Sequence, residues 1–145
     1  MGKIFFRLIL FITLSAPATL AQNLYFCEGV DDDGYAIKSS SVFDIPDDGG
    51  YLYFLVRMGS GNEIECDEVL YDIYKVSSSG KETFDNTIYQ DVETDWNWFW
   101  KKITFYDTGA YKVYVYDEDW KLLTSGNVRI NYRWVKNILK EINNL

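Results

Sequence analysis

The sequence has no histidine among its 145 residues, and only two cysteines and two prolines. Without histidine there is no serine–histidine or cysteine–histidine catalytic pair, and no zinc site built on histidine. Glycines number 10 and no tract repeats, which excludes collagen-like and low-complexity chains. Basic residues are scarce too, 14 against 22 acidic, for a formal net charge of −8. Nucleic acid and anionic membrane surfaces both attract basic patches, so neither is an expected partner. No glycine-rich phosphate loop, nucleophile elbow or metal-ligand motif is present, and no cofactor is expected. Paired carboxylates can hydrolyse glycosides, but no pair stands out among the acids. The chain reads as not an enzyme.

What is present suits one globular domain: 48% apolar residues, 18% aromatic and 25% charged. The N-terminus joins a basic start (Lys3, Arg7), an apolar run from Leu8 to Leu14, and small residues up to Ala21. Those are the three parts of a secretory signal peptide, cleaved after Ala21 or alternatively after Ala18. Thr13, Ser15 and Pro17 interrupt the run, which is shorter than the ~20 residues of a membrane span. Residues 1–21 are therefore expected to be removed, leaving no transmembrane segment. The expected destination is the periplasm, the cell surface or the outside of the cell. Losing Lys3 and Arg7 takes the net charge to −10, a balance that favours solubility, cationic partners or divalent cations. In an oxidising compartment Cys27 and Cys66 are expected to form a disulfide that fastens an N-terminal arm to the sheet.

From Ser40 onward, short apolar-aromatic runs alternate with turn clusters, the pattern of an all-β sandwich or barrel. Strands are expected at 40–45, 51–58, 68–76, 83–92, 96–105, 111–116 and 122–132. The run at 51–58 is almost continuously apolar, as in a central strand covered on both faces. The partly polar run at 83–92 looks like a sheet edge. Asp31-Asp32-Asp33-Gly34, Pro46-Asp47-Asp48-Gly49-Gly50 and Ser77-Ser78-Ser79-Gly80 mark turns, since glycine supplies positive φ and aspartate caps its own backbone. The sandwich domain is thus placed at 22–132. Beyond it, at 133–145, Trp134, Val135, Ile138, Leu139 and Ile142 recur at helical spacing, predicting a short amphipathic α-helix. So short a helix must dock its stripe, across the open end of the sandwich or onto a partner.

The segment Asp107-Thr108-Gly109-Ala110-Tyr111, followed by the alternating Lys112-Val113-Tyr114-Val115, resembles the E–F corner of immunoglobulin-like domains. The resemblance implies an immunoglobulin-like antiparallel sandwich of about seven strands. It also implies a tyrosine corner in which the Tyr111 hydroxyl bonds back to upstream backbone, Asp107 and Gly109 shape the turn, and Val113 and Val115 enter the core. Val113 stands where antibody domains place their second core cysteine, and Tyr71 has to fill the core where those domains carry a tryptophan. Such folds host adhesins, chaperone-like modules, sugar binders and assembly subunits, so the fold alone selects no function.

Two features are candidate sites. In a strand, Trp96, Trp98 and Trp100 would share one face, a platform for sugar rings or a partner protein, with Asp95 and Asn97 as polar contacts. Core packing is the alternative, and Phe99 must point the other way. The acidic turns are candidates for calcium, as in a calcium-stabilised adhesion domain. However, Gly29 and Ser40 occupy the first and twelfth positions of the nearest EF-hand-like spacing, so that motif fails and no metal ligands are assigned. The overall expectation is a non-catalytic interaction module, an accessory subunit of an envelope or surface assembly with an unidentified protein partner. A carbohydrate-binding module taking a glycan on the tryptophan strand is the alternative.

Overall fold

The computed structural model describes residues 22–133 and 141–144. The leader at 1–21 lies outside the described residues, as do Trp134, Val135, Ile138 and Leu139 of the expected helix; Ile142 is described and exposed. Among the described residues nine strands form: β1 (Asn23–Val30), β2 (Ala36–Ser39), β3 (Val42–Ile45), β4 (Gly50–Arg57), β5 (Glu68–Val76), β6 (Glu82–Asp91), β7 (Trp98–Phe105), β8 (Gly109–Asp117) and β9 (Leu122–Tyr132). They build two sheets, ordered β2-β1-β4-β7 and β3-β9-β8-β5-β6. Every pairing is antiparallel except β3 on β9.

Alternation explains the layers. In β5, Val69, Tyr71 and Ile73 face inward; in β8, Tyr111, Val113 and Val115 do so. They meet Phe26, Phe54, Phe99 and Phe105 from the other sheet. Phe54 stands 5.0 Å from Phe26 and 6.0 Å from Tyr71, both edge-on, the arrangement ring quadrupoles favour. The sheets come close at Gly126, where an added Cβ would lie 2.8 Å from the Phe26 ring. Tyr71 fills the core as expected, and β6 is an edge.

The N-terminal segment differs from the arm predicted by sequence: it supplies two strands, raising the count from seven to nine. Pairing of β1 with β4 ends at Cys27 opposite Tyr53. The β1–β2 tip nevertheless reaches Arg57 and Trp98, four residues further along β4. The Arg57 guanidinium donates to the Gly34 carbonyl and lies 4.2 Å over the Tyr35 ring. The hairpin is therefore folded back over the outer face of the first sheet, with Lys38 at φ 53 within β2. Cys27 and Leu55 on that outer face are fully buried.

The same geometry corrects the expected disulfide: both cysteines are free. Strand alternation sends Cys27 to the outer face of the first sheet, where its thiol donates to the Tyr53 carbonyl at 3.5 Å. Cys66, in the bend just before β5 of the other sheet, packs into the inter-sheet core and donates to the Glu68 carbonyl at 3.4 Å. One layer of backbone separates their directions. Burial, reinforced by Glu118 and Asp117, pushes the Cys66 thiol up from 9.0 to about 11; burial also raises Cys27. Both are neutral and poorly nucleophilic at pH 7. Two thiols per chain are expected to react with Ellman's reagent in denaturant and almost none in the native protein. Since the folded Cys66 ionises later than the unfolded one, its contribution to stability is complete below pH ~9 and lost as pH rises through ~11. In chemical denaturation at several pH values, Cys66→Ala should show a shallower alkaline decline than the wild type.

Candidate functional site

The site grows from β7, the edge strand beside β4. Its register places Phe99 opposite Val56 and Ile103 opposite Leu52, facing the core, and Trp98 opposite Arg57 and Trp100 opposite Leu55, facing out. Trp98 lies under the backbone of Gly34, whose φ of 75° and lack of a Cβ permit the contact. Trp100 packs at 5.1 Å against Tyr53 and is 42% exposed. Trp96 precedes the strand, in a turn, and is 39% exposed.

That turn is pinned by the β4–β5 connection. The Trp96 carbonyl accepts from the Ile64 N–H at 2.8 Å, that of Asn97 from Met58 at 2.8 Å, and that of Thr94 from Glu65 at 3.0 Å. Trp96 is thus brought beside Trp98 and Trp100 although it is outside the strand. The three indoles, with Asp95, Asn97, Phe99 and Gln90, line one open groove of about 630 Å³. This is within the size range of ligand sites, apolar with a few convergent polar groups.

Gln90, on the other sheet's edge strand, was not foreseen. The fully buried Tyr71 donates its hydroxyl to Gln90 Oε1 at 2.7 Å, and Gln90 Nε2 donates to the Trp100 carbonyl at 2.9 Å. This relay ties the groove wall to the core and occupies a carbonyl on an open sheet edge. A glutamine in a polar edge run carries no signal of such a role; only the closeness of β6 and β7 reveals it. Lys102 rests 3.7 Å over the Tyr51 ring, while Lys101 is half-buried.

At the far end of β7 the chain crosses to the other sheet. There the buried Tyr111 donates its hydroxyl to the Asp107 carbonyl at 3.0 Å, four residues upstream, and Gly109 takes φ 143. The fold is immunoglobulin-like. With Tyr111 opening strand F, β4 and β7 occupy the B and E places, and β5, β6, β8 and β9 the C, C′, F and G places. In this immunoglobulin-like sandwich, Tyr111→Phe removes one side-chain hydrogen bond and should lower stability by about 1 kcal/mol, read from the urea midpoint.

No family model and no curated protein matches the chain. Among solved structures, an immunoglobulin-like protein from Pseudomonas aeruginosa is similar, with a TM-score of 0.47 and 13% identity over 79% of this chain and 99% of that one.

The acidic turns use their carboxylates locally. Asp31 Oδ1 accepts from the N–H groups of Asp33 and Tyr35. Asp117 Oδ1 accepts from those of Asp119 and Lys121. Among the described residues no three histidine, cysteine, aspartate or glutamate side chains gather in a metal-binding geometry.

Proposed function

We propose that the protein is an exported, non-catalytic interaction module that holds a partner protein against the tryptophan groove. One observation carries the reading: three indoles from a turn and an edge strand line a single open groove, two of them well exposed. Burying such rings at a contact yields far more than burying small polar side chains, and tryptophan dominates interface energetics. Gln90, Asp95 and Asn97 supply the directional contacts. The amphipathic stripe at 133–145, read from sequence, is proposed as a second contact, completing an accessory subunit of an envelope or surface assembly.

Crosslinking in the native source followed by size exclusion tests this. The wild type is expected in a species larger than the monomer, and a Trp96→Ala/Trp100→Ala variant as the monomer. A wild type that is strictly monomeric would refute the proposal. The pairing of indoles with a carboxylate and two amides favours a second reading, a carbohydrate-binding module, because pyranose rings stack on indoles while their hydroxyls need such partners. In that case tryptophan emission should shift with soluble oligosaccharides; unchanged emission across a broad panel eliminates it.

A further inference from the structure

The outer face of the five-stranded sheet carries a second aromatic surface, away from the groove. Phe84 of β6 lies edge-on to Tyr74 of β5 at 5.7 Å, and Tyr74 edge-on to Tyr114 of β8 at 5.7 Å. Tyr114 stacks on Tyr116 at 6.3 Å, and Tyr116 meets Trp120 of the β8–β9 turn at 5.8 Å. The five rings form one continuous ladder across the sheet. Its ends are open: Phe84 is 57% and Trp120 60% exposed. Trp120 also sits at φ 62, a region bulky side chains rarely adopt. The turn thus places a large apolar ring in solvent at a conformational cost.

Charge decides what covers the ladder. Glu82 receives the Tyr114 hydroxyl on both carboxylate oxygens at 3.0 Å. Asp72, buried beneath the rings, accepts the Thr87 hydroxyl at 2.5 Å. Asp117, Glu118 and Asp119 precede Trp120 in its turn, where Asp117 Oδ1 accepts from the Asp119 and Lys121 N–H groups and Glu118 Oε2 from that of Asp67. None of these acids forms an ion pair among the described residues. The bases nearby are Lys121, next to Trp120, and Lys112, 5.4 Å over the Tyr114 ring, a position that itself shows a cation accepted there. Burial, with Asp72, Tyr74 and Glu82, raises the Tyr116 phenol above its ordinary pKa, and burial with Glu82 raises that of Tyr114, so both are neutral at pH 7. A second copy would bring the same acids face to face, and nucleic acid or anionic lipid would be repelled.

We infer that the aromatic ladder Phe84–Tyr74–Tyr114–Tyr116–Trp120 binds an arginine-bearing polypeptide segment, whose guanidinium groups stack on the rings while the flanking carboxylates neutralise them. Arginine suits the site better than lysine because its planar, weakly hydrated head stacks and forks onto carboxylates.

The test is a titration of the whole protein with a hexa-arginine peptide, followed by two-dimensional NMR at low and physiological salt. Shifts are expected on the ladder and on the Trp120 indole, with weaker binding to hexa-lysine and at higher salt. Phe84→Ala and Trp120→Ala, both at exposed rings, should each weaken binding about tenfold, whereas Trp96→Ala/Trp100→Ala should not. Three results would each overturn the inference: undiminished affinity in the ladder variants, shifts confined to the tryptophan groove, or no binding at low salt.

Discussion

Gly34→Ala is expected to destabilise the protein by about 2–5 kcal/mol. Two costs combine. An L-residue at φ 75 pays roughly 1–2 kcal/mol for its left-handed backbone. The new methyl group would also overlap the Trp98 indole, and overpacking costs about 1–3 kcal/mol more. Gly80 is the control: its φ is 85 but nothing lies near its Cβ position, so Gly80→Ala pays the backbone cost alone. Urea denaturation of the two variants separates the terms. Equal losses would mean that the β1–β2 tip does not rest on Trp98. An excess loss at Gly34 means that the hairpin is clamped over the sheet and braces the groove.

The second large effect falls on binding. Trp100→Ala is expected to reduce the crosslinked complex at least tenfold, the range of a tryptophan at the centre of an interface. Its folding cost should be small, because the ring is 42% exposed and its main protein neighbour is Tyr53. Tyr71→Phe is the informative companion. It leaves the indoles in place but removes the donor that holds Gln90, and so detaches the groove wall from the core. A smaller reduction, roughly two- to tenfold, is expected, in line with one neutral hydrogen bond. Were Trp100→Ala as active as the wild type, the groove would be a packing feature and nothing more.

Most of the sandwich is legible in the sequence where alternation is strict. The expected strands at 68–76 and 122–132 coincide with β5 and β9, and the Asp107–Tyr111 segment forms the corner it resembles. The N-terminal hairpin is the chief miss. Tyr25 and Cys27 are apolar but face outward, Cys27 buried under the folded-back hairpin, so period-two alternation is blurred. β2, with Ala36-Ile37-Lys38-Ser39, is short, mostly exposed and bent at Lys38. The disulfide expectation failed for a related reason. Pairing by count ignores which face each cysteine points to, and a strand sends successive side chains to opposite sides. The tryptophan triplet reads in the sequence as one strand face, but Trp96 lies before β7 and comes beside the other two by a pinned turn and not by strand alternation. Its partner Gln90 belongs to the other sheet, a tertiary adjacency that no local pattern encodes.

The groove's role is tested most directly by placing a photocrosslinking side chain at Asn97, which lines it without supplying an indole. In the native source, illumination should give one discrete adduct with a protein partner, and that adduct should vanish when Trp96→Ala and Trp100→Ala are added. The contrary result is an adduct that persists without the two indoles, or none at position 97 when an equivalent probe beside Trp120 captures the same partner.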